Sequence, residues 1–405
     1  MMIGYNPFDP AVMADPYPYF AQLRAEAPVH YVEAAQIHAI SRYEDVIAAL
    51  KNPGVFSSRS LFSFFLDELN PVPEASPIIA LDAPEHTRQR ALIMKVLTPR
   101  VVGNLEGFVR GVVRGLLDRA AEKDEIEFVS EFAHPIPAYV IGELLGIETE
   151  RREQLVQWAN DVTQVSTRVF AEDELGRIRG SIAELRAYFE DAIAKRRKEP
   201  RDDLMSLLIH AEENGERFTD HELLATFFVL LAAGNETTTM LMSNMLIALL
   251  RNEEQFERVR ADRSLIPAAV EEALRFDAPI LGLTRYVTRP TAVSDVELSE
   301  GAIVMLLYAS ANRDERVYEA PDAFNIFRAG ERPHLAFSHG PHFCAGNALA
   351  RLEATIAMEM LLDRFSSITL AREPERTVLP FTRGAKSIHL EFELARQAKP
   401  VGSPA

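Results

Sequence analysis

The feature that most restricts the fold is a long apolar stretch at residues 219–250. Thr219, followed three residues later by Glu222, forms the pattern of a capping box, so a helix is predicted to begin there. At about 1.5 Å per residue this helix would extend for roughly 50 Å. It is apolar on nearly all sides, from LLATFFVLLAA to MLMSNMLIALL, which is typical of a buried helix. We therefore expect a helix that crosses the whole molecule.

The middle of this helix, AAGNETTT at residues 232–239, breaks the apolar pattern. Gly234 costs about 1 kcal/mol of helix stability relative to alanine, and threonines there can bond back to the preceding turn. Several such faults in one turn of a buried helix are typical of a functional site. We infer a groove at Gly234, into which Thr237 offers a hydroxyl and Glu236 a proton relay. The alternative is a kinked helix with one satisfied polar pair.

The only cysteine, Cys344, lies in the stretch FSHGPHFCAGNALARLE, residues 337–353. A helical pattern follows Gly346, which places the thiol at a helix N-terminus, where amide groups and the helix dipole lower a thiol pKa. Gly340 and Gly346 allow backbone amides to approach the sulfur closely. Two phenylalanines would exclude water from it, Phe337 and Phe343.

Three interpretations of this stretch remain open. Cys344 can be a buried cysteine that packs as a small hydrophobe. It can belong to a zinc site with His339 and His342, because the H-x-x-H-x-C spacing is tight enough for shared coordination. It can also be a thiolate ligand of haem iron.

The haem interpretation requires partners for two buried propionates. The stretch LDAPEHTRQR places His86 and Arg90 four residues apart on one predicted helix face. Arg285 lies among apolar residues in LGLTRYVTRP, and His342 stands two residues before the cysteine. These four side chains are the candidate propionate partners.

A possible support for the cysteine loop lies in AAVEEALRF, residues 268–276. Glu272 and Arg275 are three residues apart there and would share one helix face. A buried pair of this kind, tied to the arginine-rich segment 311–328, would hold the loop in place.

The composition excludes other classes of protein. A formal net charge of −17 argues against a nucleic-acid partner, because phosphate binding needs a basic face. A single cysteine cannot form an intramolecular disulfide, which fits a reducing cytosol. The N-terminal residues lack the pattern of a signal peptide, and no run of about 20 apolar residues predicts a membrane span. A cytoplasmic protein without a membrane anchor is expected.

Strand patterns are few, short and far apart, so the predicted fold is mainly α with small peripheral β-sheets. Residues 29–43 read as a strand pair with a short turn. We expect one domain over residues 1–405. Its small β-rich part would come from about 28–60, 285–310 and 376–395.

From DPYPYF near its start to RGAKSIHLEF near its end, the chain resembles the cytochrome P450 superfamily of haem-thiolate monooxygenases, in its soluble bacterial form. The superfamily's haem-loop pattern F-x-x-G-x-x-x-C-x-G is complete here, with Phe337, Gly340, Cys344 and Gly346 in order. One departure is visible, because the superfamily usually has glycine where this chain has Ser338.

Three further motifs occur in the superfamily's order. The E-x-x-R pair falls on Glu272 and Arg275, and the propionate pattern H-x-x-x-R falls on His86 and Arg90. The oxygen-groove pattern A-G-x-[DE]-T is matched by Ala233, Gly234, Glu236 and Thr237. The resemblance implies the cytochrome P450 fold, with a long central helix over a buried haem.

The resemblance also implies the chemistry. Cys344 would be the axial ligand of haem b (iron protoporphyrin IX), while Glu236 and Thr237 would steer protons to the bound oxygen. The enzyme would insert one oxygen atom from O2 into a lipophilic substrate, by hydroxylation or epoxidation of a fatty acid, terpenoid, macrolide or similar natural product. The alternative function is a non-catalytic haem-thiolate ligand carrier or sensor.

The substrate and the redox partner can be approached only by resemblance and residue type. Candidate pocket residues are Phe62, Phe64, Phe65, Leu230, Ile280, Leu281, Phe381 and Thr382. A separate ferredoxin or flavodoxin, with its NAD(P)H-dependent reductase, would supply electrons to a monomer. Three arginines of this chain are candidate docking points for that electron donor: Arg110, Arg114 and Arg351.

Overall fold

The computed structural model describes residues 4–59, 69–164, 172–328 and 332–395, and the fold over these residues is mainly helical. Short 3₁₀ turns and one π-helical turn, Val129–Ala133, connect some of the α-helices. The α-helices within these ranges are α1 Pro10–Ala14, α2 Tyr17–Glu26, α3 Tyr43–Leu50, α4 Glu85–Val96, α5 Pro99–Asn104, α6 Glu106–Ala120, α7 Pro135–Leu145, α8 Arg152–Gln164, α9 Glu172–Lys198, α10 Leu204–His210, α11 Asp220–Leu250, α12 Glu253–Ala261, α13 Ile266–Phe276, α14 Tyr308–Ala311 and α15 Asn347–Arg364.

The strands are short and form small sheets at the side of the helical part. The described strands are β1 Val29–Val32, β2 Ile37–Ile40, β3 Phe56–Ser57, β4 Glu125–Glu127, β5 Leu283–Val287, β6 Thr291–Val293, β7 Val296–Leu298, β8 Ile303–Leu306, β9 Phe365–Leu370, β10 Glu375–Arg376, β11 Ala385–Ser387 and β12 His389–Leu394. The largest sheet has the order β1-β2-β8-β5-β3, and only its β2–β8 pair is parallel. The strand pair predicted within residues 29–43 is confirmed as the antiparallel hairpin β1–β2, in which Val29 faces Ile40.

Helix α11 is the central element, as the sequence predicts. Thr219 caps it: its hydroxyl accepts from the Glu222 N–H at 3.3 Å, and the Glu222 carboxylate accepts from the Thr219 N–H at 2.8 Å. The helix packs against α7, α8, α13 and α15, so the side chains on most of its surface are buried. By length and composition α11 would also be apolar enough to cross a membrane, but 61% of its most apolar window is buried inside the protein. Buried core helices of this kind also meet that criterion of length and composition.

Helix α15 begins at Asn347, directly after Gly346, and brings the cysteine loop to the helical core. It packs against α6, α11 and α13. Phe337 and Ala345, on either side of the cysteine in the loop, pack against the same hydrophobic cluster that contains α11. The loop is therefore fixed to the helices that surround α11.

Candidate active site

The middle of α11 has one open side, whereas its opposite side is buried. Ala233 is exposed there, and Leu230 and Thr237 are partly exposed, at the spacing of one helix face. Four of their neighbours are partly exposed as well: Val229, Ala232, Gly234 and Glu236. Leu231 and Asn235 lie between them and are buried against other helices. A partly exposed stripe in the middle of a buried helix indicates that this face lines a cavity.

The polar groups expected in a groove lie on or beside this stripe. The Thr237 hydroxyl donates to the carbonyl of Ala233 at 2.8 Å, which is the bond back to the preceding turn that the sequence suggested. The helix is continuous through Gly234, where a Cβ would meet Ile141 of α7 at an ordinary 3.6 Å. Burial raises the pKa of Glu236 to about 7. The Glu236 carboxylate has no hydrogen-bond partner within the described chain, so it can hold or release a proton near neutral pH.

The cysteine loop closes around its sulfur through backbone groups. The Cys344 N–H donates to the Phe337 carbonyl at 2.9 Å. Burial raises the pKa of the Cys344 thiol, while the N–H groups of Gly346 and Asn347 and the charge of Arg90 act to lower it. The low thiol pKa expected at a helix N-terminus is therefore outweighed by desolvation in the protein without its ligand. The donors that would stabilise a thiolate are nevertheless in place.

Two residues of the loop that leads to Cys344, Ser338 and Gly340, adopt the left-handed conformation. Gly340 has φ +72°, and a Cβ there would lie 2.7 Å from the carbonyl oxygen of Leu50, so both backbone and space require glycine. Ser338 has φ +61° although it is not glycine. Its hydroxyl lies 3.4 Å from that of the buried Tyr308.

The four predicted propionate partners form one cluster near the loop. The rings of His86 and His342 are in contact, with their centroids 4.0 Å apart and their planes tilted by 39°. Burial, together with the charges of His86, Arg285 and Arg90, lowers the pKa of His342 to about 3. Arg90 donates to the Phe343 carbonyl at 2.8 Å.

The charges of this cluster are suited to binding an anion. Arg285 is buried, and its side chain donates to the backbone carbonyl of the preceding residue, Thr284, at 2.7 Å. Neither Arg285 nor Arg90 is paired with a carboxylate in the described part of the chain. Asp82, whose charge raises the pKa of both histidines, is itself bound to Ser57 and Ser58. Two guanidinium groups without carboxylate partners, beside a half-buried cysteine, suit the two propionates of haem.

The zinc interpretation lacks a ligand set. No group of three or more His, Cys, Asp or Glu side chains that could hold a metal ion occurs in the described residues. His342, which that site needs, instead faces the Ser58 hydroxyl, 3.0 Å from its Nε2 atom, and contacts the ring of His86.

The Glu272–Arg275 pair is buried and ties α13 to the loop. Two hydrogen bonds, of 2.7 and 2.8 Å, join the two side chains. Arg275 also donates to the carbonyls of Asn312 and Pro321, in the arginine-rich segment. The Asn312 side chain then accepts from the Leu335 N–H at 2.6 Å, two residues before Phe337. The support expected from the sequence thus reaches the cysteine loop through Asn312.

Two of the candidate pocket segments form a single unit. Ile280 and Thr382 pair as an antiparallel bridge, and the Leu281 N–H donates to the Phe381 carbonyl at 2.8 Å. Leu281 is buried, whereas Ile280 and Phe381 stay partly exposed. Phe62, Phe64 and Phe65 lie outside the described residues.

Sequence reasoning missed the residue that anchors this unit. Asp277, at the end of α13, is buried and forms ion pairs with Arg376 and Arg383, each with an N–O distance of 2.9 Å. Asn244 of α11 donates to the carbonyls of Asp277 and Arg383. Since these residues lie 33 to 139 positions apart, no local spacing could have identified them.

A buried histidine beside the groove was also missed. His134, directly before α7, places its Nε2 atom 3.2 Å from the side-chain nitrogen of Asn235. Burial lowers the pKa of His134, and a hydrogen bond with Asn160 opposes this effect. The HP dipeptide at a helix start was the only sequence signal.

Comparison with known proteins gives the same result as the geometry. The family model described as Cytochrome P450 matches residues 19–392. Cytochrome P450 107B1 of Saccharopolyspora erythraea is 37% identical over 380 residues, covering 91% of this chain and 92% of that protein. The structure of CYP109Q5 from Chondromyces apiculatus has a TM-score of 0.91 at 35% identity, over 97% of this chain and 100% of that chain. CYP109E1 from Bacillus megaterium, in complex with corticosterone, has a TM-score of 0.86 at 30% identity, over 94% and 99%.

The cysteine loop and the cationic cluster beside it are compatible with a haem-thiolate site. The chain belongs to the cytochrome P450 family. It is a haem-binding monooxygenase of EC class 1.14, which decides against the carrier and zinc alternatives.

Proposed function

We propose that this monooxygenase acts on a lipophilic substrate, which it hydroxylates or epoxidises. The observation that carries the proposal is the residue type of the pocket candidates. Leu230 and Ala233 on α11, and Ile280 and Phe381 on the paired segments, present no charge. An unpaired ionic group buried against such side chains would cost several kcal/mol. A fatty acid, terpenoid, macrolide or steroid-like compound suits these walls, and the corticosterone bound by CYP109E1 is of this kind.

Cys344 is proposed as the residue that would hold the haem iron through its thiolate. The haem would supply the activation of O2 there. Arg90 and Arg285 would neutralise the propionates, because neither guanidinium has a carboxylate partner in the described chain. His86 and His342, whose pKa values are lowered, would orient the propionates as neutral hydrogen-bond donors. The loop amides directed at the Cys344 sulfur would stabilise the negative charge of the thiolate.

Glu236 and Thr237 are proposed to control the protons that the reaction consumes. A carboxyl group with a pKa of about 7 is partly protonated at neutral pH, so Glu236 can both accept and donate. The Thr237 hydroxyl, which donates to the Ala233 carbonyl at 2.8 Å, can turn toward the open face of α11 and donate there instead.

We further propose that residues 1–405 form one oxygenase domain of a monomeric, cytoplasmic protein. The single cysteine cannot build an iron–sulfur cluster. Electrons would then come from a separate ferredoxin or flavodoxin and its NAD(P)H-dependent reductase.

The first test is the absorption spectrum of the reduced protein with carbon monoxide. A Soret band strongly shifted to the red is expected, and Cys344→Ala should abolish it. An unchanged band in that variant would overturn the ligand assignment.

Lipophilic compounds that change the spin state of the ferric protein would then identify the substrate class, whereas a response only to charged compounds would contradict it.

The proton-delivery role is tested with two threonines. Thr237→Ala should divert electrons from product to peroxide without loss of haem. Thr239→Ala is the matched control, because the Thr239 hydroxyl makes the same type of bond, to the Asn235 carbonyl at 3.1 Å, but is buried away from the open stripe. Equal peroxide yields in the two variants would show that Thr237 has no special role.

A further inference from the structure

Arg351 lies seven residues after the cysteine and contacts the cysteine loop at two points. Its guanidinium carbon lies 4.5 Å from the centre of the Phe337 ring, which is a cation–π distance. Its Nη1 atom also donates to the Asn347 side-chain oxygen at 2.7 Å, and the Asn347 amide donates to the Cys344 carbonyl at 2.7 Å. Arg351 is therefore joined to both ends of the loop.

Glu271 holds this arginine in place from α13. The two Glu271 oxygens accept from Nε and Nη2 of Arg351 at 2.5 and 3.1 Å, in a bidentate geometry that fixes the plane of the guanidinium. Although burial raises the pKa of Glu271, hydrogen bonds from His334 and Arg351 lower it to about 2. Glu271 therefore keeps its negative charge throughout the neutral range.

His334 is the third member of the arrangement. Its Nδ1 atom accepts from the Ala336 N–H at 3.2 Å, and its Nε2 atom lies 3.2 Å from the Glu271 carboxylate. His334 therefore links Glu271 to the backbone directly before Phe337. Arg351 and Glu271 form the ion pair of this cluster, and Arg351 is the closer of the two to the loop.

We propose that Arg351 is a positioning residue for the haem thiolate: it fixes Phe337, whose carbonyl accepts from the Cys344 N–H, and its charge, partly compensated by Glu271, sets the reduction potential of the site. A positive charge near the thiolate stabilises the reduced state, which carries one more negative charge. The stacked guanidinium prevents Phe337 from moving and admitting water. This role differs from the docking function that exposed arginines on this face suggest.

The charge part of the proposal predicts shifts of opposite sign in two variants. Arg351→Gln removes the positive charge, so the reduction potential of the substrate-free protein should become more negative. Glu271→Gln keeps the shape but leaves Arg351 uncompensated, so the potential should become more positive. Shifts of the same sign, or none in either variant, would overturn the charge part.

The positioning part of the proposal is tested by the rate at which the protein loses its thiolate ligation. On mild heating, the carbon monoxide complex of Arg351→Gln and of Arg351→Lys should lose its red-shifted band at least about threefold faster than the native protein, because lysine keeps the charge but not the planar stack. Arg351→Lys should also keep the native potential more closely than Arg351→Gln. Loss rates equal to the native rate in both variants would overturn the positioning part.

Arg110→Gln is the matched control. Arg110 is about as exposed as Arg351 (35% against 33%) and is also paired with carboxylates, Glu106 and Glu359, but it does not contact the loop. It should change neither the potential nor the loss rate. If Arg351→Gln behaved like this control and altered only the KM for the electron donor, Arg351 would be a docking residue and the proposal would be wrong. Glu271→Gln tests the charge effect even if Arg351→Gln does not fold.

Discussion

Replacement of Ser338 tests whether the cysteine loop carries backbone strain. Its φ of +61° lies in the left-handed region, and its N–H donates to the Leu335 carbonyl at 2.8 Å, which closes the turn. Its hydroxyl lies 3.4 Å from that of Tyr308. Ser338→Gly removes both the strain and the hydroxyl, whereas Ser338→Ala removes only the hydroxyl. The difference between the two variants therefore isolates the strain.

The expected magnitude follows from these contacts. A left-handed conformation costs a residue other than glycine roughly 1–2 kcal/mol. A glycine at position 338 avoids this cost, but it makes the unfolded chain more flexible, which lowers the stability of the folded protein by about 0.4–1 kcal/mol. With the middle of each range, Ser338→Gly should be more stable than Ser338→Ala by about 0.8 kcal/mol. The long hydrogen bond to Tyr308, lost in both, is worth at most about 1 kcal/mol, so Ser338→Ala should be the least stable of the three proteins.

The assay is urea unfolding of the haem-loaded protein, followed by both the Soret band and far-ultraviolet circular dichroism. Gln36 provides a calibration, because it also has a positive φ, +53°, in the exposed turn between β1 and β2. Gln36→Gly and Gln36→Ala should differ in the same direction. If Ser338→Ala is as stable as Ser338→Gly while the Gln36 variants differ, the loop relaxes around position 338 and the reasoning fails.

Three further predictions concern buried charges. Glu272→Gln leaves the guanidinium of Arg275 uncompensated and should cost about 3–5 kcal/mol of unfolding free energy; a loss below about 1 kcal/mol would contradict the role of the pair. Asp277→Asn should lower the unfolding free energy by a similar amount. It should also weaken the spin-state response to lipophilic ligands, because the segment that contains Phe381 loses its anchor. A native affinity for these ligands in the variant would refute this link. Glu236 has a folded pKa of about 7, above the 4.5 of an unfolded carboxyl, so stability should fall as the pH rises from 4.5 to 7. Glu236→Gln should abolish that fall and gain about 1–3 kcal/mol at pH 8, and unfolding at pH 5 and pH 8 measures it.

The helical part of the fold was predictable because its signals are local. The start of α11 follows from the Thr219–Glu222 capping box, and the start of α15 from the apolar spacing after Gly346. The strand order was not predictable, because β2 pairs in parallel with β8, more than 260 positions later in the chain. The three-residue strand β4, Glu125–Glu127, is too short to show a period of two and exists only through its pairing with β12.

The members of the candidate site were predictable to the extent that they stand in short motifs. The cluster of His86, Arg90, Arg285 and His342 assembles as expected, because each residue belongs to an element that the fold brings to the loop. Its charge balance could not be read from the sequence, because the pairing of Asp82 with two serines depends on tertiary contacts.

The clearest limit of the sequence is the EE dipeptide of α13. Glu271 and Glu272 are neighbours, about 100° apart around the helix, so their side chains face different partners. Glu272 binds Arg275 and reaches the loop from the side of the arginine-rich segment, through Asn312. Glu271 binds Arg351 and reaches the same loop from the side of α15. Because the two carboxylates hold the cysteine loop from opposite flanks, Glu271→Gln and Glu272→Gln should separate its electronic role from its structural one: the first should shift the reduction potential with little loss of stability, and the second should destabilise the fold.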